Sequence, residues 1–154
     1  MIVLAALAVA VALLIILNKR NTDEKRQFRT DEIFQIRAGG EEYTITLEEF
    51  LGLEQREFQA VLKKNGKPPE DSLFTGVPFA QVLRGFGIDA GGYHTAVFTA
   101  ADGYASALPL AGALDETNCF IVADSGGDGP FRMVMAKDRF SQRWCKLLVE
   151  VVLK

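Results

Sequence analysis

The side chains with the most reactive chemistry in this sequence are two cysteines, Cys119 and Cys145, and a single histidine, His94. Two cysteines this far apart make no disulfide framework, although one pairing is open to them if the domain lies in an oxidising compartment. Structural zinc takes four ligands, usually closely spaced. No C-x-x-C and no H-x-x-x-H occurs, so a zinc site is set aside. Cys145 stands between Trp144 and Lys146, and the cations Arg143 and Lys146 could lower its pKa and make it reactive. A buried or half-buried structural thiol is the stronger expectation. Cys119 opens an apolar strand and is expected in the core. His94, beside Tyr93, is expected at the surface or a strand edge, without a catalytic role. Gly126-Gly127-Asp128-Gly129 is rich in glycine, as phosphate loops are. No Lys-Ser/Thr and no helix follows it, so a hairpin turn is expected there. Asp102-Gly103-Tyr104 reads as a turn entering a strand, with Asp102 capping its own backbone.

These residues must be positioned by short strands. Residues 33 to 37 alternate as a strand does, Gly39 and Gly40 supply a hairpin turn, and residues 43 to 45 return. Thr46 with Glu49 three residues on forms a capping box, so a short helix is expected to start there and stop near Gly52. Residues 58 to 62 read as a third strand, and residues 63 to 74 as a long polar loop. Pro78 suits the first turn of a helix with Phe79, Val82, Leu83 and Phe86 on one face, ended by Gly85 and Gly87. Further strands are expected over 93–99, 104–108, 119–123 and 131–135. A long apolar strand over 144–153 closes the chain. Many strands with two or three short helices out of strict alternation give an α+β class with mixed sheets.

The chain has 154 residues, enough for one domain and an anchor. Its net charge of −3 leaves no broad basic surface for nucleic acid. Residues 1 to 17, MIVLAALAVAVALLIIL, are apolar without a break. A bilayer span needs about 20 such residues, with a lower limit near 17. Asn18, Lys19 and Arg20 can reach the head groups and extend the run slightly. No basic stretch precedes it and no small-residue cleavage site ends it, so an uncleaved anchor over 1–18 is expected rather than a signal peptide. Residues 19–30 read as a flexible polar tether, and 31–154 as the domain. Lys19, Arg20, Lys25, Arg26 and Arg29 all follow the span, which by the positive-inside tendency puts the domain in the cytoplasm.

Four patterns then occur in order: Phe74-Thr-Gly-Val-Pro-Phe-Ala-Gln-Val-Leu83; Ala101-Asp-Gly-Tyr-Ala-Ser106 with Leu108-Pro109-Leu110; Gly129-Pro-Phe-Arg-Met-Val134; and Ser141-Gln-Arg-Trp-Cys-Lys146. Together they resemble the molybdopterin-binding domain of the sulfite oxidase family, in its short, stand-alone bacterial form. The resemblance implies that fold over residues 32 to 153, with molybdopterin as the cofactor. It also implies oxidoreductase chemistry at a molybdenum held by a cysteine thiolate and the pterin dithiolene. In the family that cysteine precedes the G-v-P-l segment. Here the matching residues 58 to 74 contain no Cys, and the family's Asn-Arg-Arg signature is missing. Ser72, hard and protonated at neutral pH, is a poor substitute.

Cofactor binding alone would need only basic side chains and backbone N–H groups for the pterin phosphate. By the resemblance, Arg132, Arg143 and Lys146 fall at basic positions that could form an anion site, with Asp102 and Tyr104 on a ligand rim. The plainer reading makes the three cations a solvated edge beside Asp124, Asp128 and Asp138. The expectation is therefore a membrane-tethered domain that binds a small anion or a membrane redox partner and has no oxotransferase chemistry of its own. The rivals are a molybdenum oxidoreductase with a non-standard ligand set, and an assembly domain with no small ligand. The resemblance favours an extracytoplasmic domain, against the charge rule.

Overall fold

A computed structural model describes residues 32–62, 66, 68–123, 129–139 and 141–154, with Val11 and Lys19. The expected anchor and tether, residues 1–30, otherwise lie outside the described residues. Among the described residues no helix is long and apolar enough to cross a membrane.

The elements run β1 (Ile33–Ala38), β2 (Glu41–Thr46), α1 (Leu47–Leu51), β3 (Arg56–Leu62), β4 (Glu70–Pro78), α2 (Phe79–Gly85), β5 (Thr95–Ala100), β6 (Ala105–Pro109), α3 (Leu110–Ala113), β7 (Cys119–Ala123), β8 (Phe131–Met135) and β9 (Leu148–Leu153). One sheet has five strands in the order β2-β1-β9-β5-β6, and the other four in the order β3-β4-β7-β8. β1 and β9 pair in parallel, and all other pairs are antiparallel. The class is the mixed α+β expected, with two sheets and three short helices among the described residues of 32–154.

The interior lies between the sheets. Phe34 of β1 meets Phe131 of β8 edge to face at 4.7 Å, and Phe50 of α1 meets Phe131 at 5.4 Å. Such aromatic pairs add about 0.5–1.5 kcal/mol to the gain from burial alone. The period of two decides which side chains face inward. In β5, Ala96, Phe98 and Ala100 are buried while Thr95, Val97 and Thr99 are half-buried.

Local signals fix the turns and helix starts. Gly39 and Gly40 have φ of +60° and +90°, the conformation a two-residue hairpin asks for. The Thr46 hydroxyl accepts from the Glu49 N–H at 3.2 Å, and the Glu49 carboxylate accepts from the Thr46 N–H at 3.0 Å, so the capping box is present. These hydrogen bonds from Thr46 hold the Glu49 pKa below its usual value. Gly76-Val77-Pro78 turns strand into helix. A Cβ on Gly76 would lie 2.5 Å from the Ile121 carbonyl oxygen, Val77 is fully buried, and Pro78 caps α2.

Several expectations need correction. Residues 70–74 are not loop but the first part of β4, which pairs with β3 from Leu62↔Glu70 to Arg56↔Gly76. Pro68 and Pro69 hide the strand in the sequence, while Phe74 anchors it by stacking on Phe58 at 5.8 Å. The last strand begins at Leu148, not residue 144, because Leu147 turns to φ +54° and breaks the ladder. Helix α3 was not expected; Pro109 starts it with the same backbone geometry as Pro78. Strands β5 and β6 also start one or two residues later than read from sequence.

Candidate functional site

Residues 141–147 form a strap between β8 and β9. Three ties hold it. Cys145 makes an isolated antiparallel bridge with Met133, with N–H to O distances of 2.8 and 3.0 Å. The Trp144 indole N–H donates to the Met135 carbonyl at 3.1 Å. The Ala101 N–H donates to the Leu147 carbonyl at 2.8 Å, joining the strap to the turn after β5. Because Cys145 lies opposite Met133 it faces the interior, and its neighbour Trp144 faces the other way. There Trp144 meets Phe74 edge to face at 5.4 Å, and Phe120 stacks on Phe58 at 3.8 Å.

The turn after β5 is built by Asp102, whose carboxylate accepts from the Tyr104 N–H at 3.0 Å, as its sequence predicted. Tyr104 then reaches the strap: its hydroxyl donates to the Gln142 carbonyl at 2.8 Å. Turn and strap enclose an open cleft of about 250 Å³ lined by Asp102, Tyr104, Ser141, Gln142, Trp144 and Lys146. Among the described non-glycine residues, positive φ occurs at Glu32, Ser141 and Leu147, with +48° and +54° at the last two. Two of these strained positions therefore bracket the strap. Each costs about 1–3 kcal/mol and persists only where the surroundings enforce it.

The predicted site residues divide. Asp102, Tyr104 and Lys146 come together at the cleft. Arg143 does not join them. Its guanidinium makes a two-pronged pair with Asp138, which is buried, and Asp138 raises the Arg143 pKa further. Arg132 sits in β8 opposite Val122, half-buried and away from the cleft lining. Of the three cations Lys146 lines the cleft, and Arg143 closes a local ion pair with Asp138. Asp124 and Asp128 lie outside the described residues. Ser141, Gln142 and Trp144 were not singled out as site residues, although all three stand in the Ser141…Lys146 pattern.

Both thiols are inside. Cys119 and Cys145 are free and fully buried. Burial pushes the Cys145 pKa up to about 12, with nearby Asp102 adding to the rise. Burial likewise raises the Cys119 pKa. The lowering that Arg143 and Lys146 could have caused at Cys145 does not occur. Arg143 is engaged by Asp138, and desolvation dominates. His94 is exposed and remote, with its backbone tied to Lys154 and Leu110.

The donor set can be tested against a thiolate-held molybdenum. The β3–β4 hairpin carries no Cys, both thiols elsewhere are buried and protonated, and no group of three His, Cys, Asp or Glu among the described residues is placed to hold a metal. The residues present do not fit that metal centre.

A second cleft of about 320 Å³ lies beside α2, lined by Ala80, Leu83, Ile88 and Leu114 with Arg84 and Asp89 at its rim. Arg84 is tied to Glu116 at 2.7 Å, and Arg56 meets the same carboxylate at 3.0 Å.

No protein-family profile matches the chain, and no curated protein matches it. Among solved structures the chain is similar to the sulfane dehydrogenase SoxCD from Paracoccus pantotrophus, with a TM-score of 0.65 at 14% identity. The match covers 81% of this chain and 38% of that one. The chain therefore shares the fold of part of that protein, and spans well under half of its length.

Proposed function

We propose that this chain is a non-redox binding module: a domain on the sulfite oxidase-type fold that holds a small anionic ligand in the cleft between the Asp102–Tyr104 turn and the strap. The observation that carries the reading is the cleft itself. It places Lys146 beside two aromatic side chains, while the only two thiols of the chain are buried and protonated. Lys146 supplies the attraction for an anion, and Tyr104 and Trp144 supply flat apolar surface. The likeness in fold to a sulfane dehydrogenase supports a small oxyanion or an anionic pterin without its metal as the ligand class. The apolar run over 1–17, followed by a polar tether, supports attachment to a membrane, where the ligand could be presented to a redox partner.

Thermal unfolding in the presence of simple oxyanions and pterin phosphates tests the reading. A ligand that binds only the folded chain adds roughly 2.7 kcal/mol at a hundred times its Kd and must raise the midpoint. Lys146→Ala should abolish the rise. No rise with any of these anions would remove the proposal in favour of an assembly domain.

A further inference from the structure

The cleft is not uniformly positive. Asp102 lines it together with Lys146, and the Asp102 carboxylate is oriented by the backbone N–H of Tyr104 at 3.0 Å. A simple anion drawn into the cleft by Lys146 also meets the Asp102 carboxylate, and like charges sharing one small cleft disfavour each other. A ligand that carries its own cation removes that penalty. Ser141, Gln142, Tyr104 and Trp144 line the same cleft and complete a wall of polar and aromatic residues. We infer that the cleft selects a small zwitterion, with an anionic group on Lys146 and an ammonium on Asp102, over a plain anion of the same size. The inference rests on the binding function proposed above and specifies its ligand class.

The test uses probe pairs that differ only by an ammonium group: glycine with acetate, β-alanine with propionate, and 4-aminobutyrate with butyrate. Calorimetric titration of the full chain should show at least one amino acid binding about tenfold tighter than its partner, the size expected of one charge-assisted contact worth about 1.4 kcal/mol. Asp102→Asn keeps an oxygen for the Tyr104 N–H and so preserves the turn, which an unchanged unfolding midpoint would verify. In that variant the preference should vanish, and the plain carboxylates should bind more tightly than before. Equal affinity within every pair, or a preference that survives Asp102→Asn, would overturn the inference while leaving the anion-binding function standing. Binding by none of the six would overturn the inference, and the thermal-shift series with oxyanions and pterin phosphates then decides the anion-binding function separately.

Discussion

The interior and the cleft are built by different forces. Between the sheets, Phe34, Phe50, Phe79, Phe98 and Phe131 interlock with aliphatic neighbours and are fully buried. Nothing there needs a particular hydrogen bond. Around the cleft the chain is held by single polar ties: Tyr104 to Gln142, Trp144 to Met135, Ala101 to Leu147. Burial is non-directional, so the interior can be filled by any residues of the right size and pattern. Directional ties can instead hold two segments apart and leave an opening. The strained backbone at Ser141 and Leu147 belongs to this second region, whereas the positive φ of Gly39 and Gly40 is unstrained and belongs to a plain turn.

The contrast can be broken or sharpened by substitution. Phe131→Ala removes the ring that touches both Phe34 and Phe50 and should cost about 3–5 kcal/mol in denaturant unfolding. Gly76→Ala drives a Cβ to 2.5 Å from the Ile121 carbonyl, and should cost about 1–3 kcal/mol by the same measurement. Thr46→Ala loses the capping box of α1, worth about 1 kcal/mol. Tyr104→Phe removes one partly exposed hydrogen bond and should cost only about 0.5–1.5 kcal/mol, yet it loosens one wall of the cleft and should weaken anion binding. A Tyr104→Phe variant as unstable as Phe131→Ala would erase the distinction between the two regions.

The smallest effect concerns acid stability away from both regions. Hydrogen bonds from Lys137 and Thr117 hold the Asp115 pKa at about 2. A carboxylate with a depressed folded pKa stabilises the fold above its unfolded value and loses that contribution as pH falls toward the folded one. Lys137→Met should therefore lower stability near neutrality, flatten the profile between about pH 4 and pH 2, and change little in stronger acid.

Much of the fold was legible because local signals and burial agree. The Gly39-Gly40 hairpin, the Thr46–Glu49 box and strands β7 and β8 all appear as read. The β4 strand was hidden because its partner contacts, Phe74 with Phe58 and Trp144, come from distant segments while its near neighbours are prolines. Leu147 looked like one more apolar residue of a strand, and no sequence signal marks its positive φ. The cleft was half legible. Asp102 and Tyr104 were placed by the turn and the resemblance. Lys146 reaches the same lining, whereas charge spacing along the chain does not reveal that Asp138 captures Arg143. The buried state of Cys145 followed from its strand-like context, although its partner turned out to be a lone bridge to Met133 and not a ladder.

The proposed binding function without metal chemistry rests on two thiols that are both buried. Elemental analysis of the purified chain, produced in cells that make the molybdenum cofactor, tests it most directly. Molybdenum well below one atom per chain is expected, with both thiols unreactive to alkylation until the protein unfolds. One molybdenum per chain, retained through purification, would contradict it.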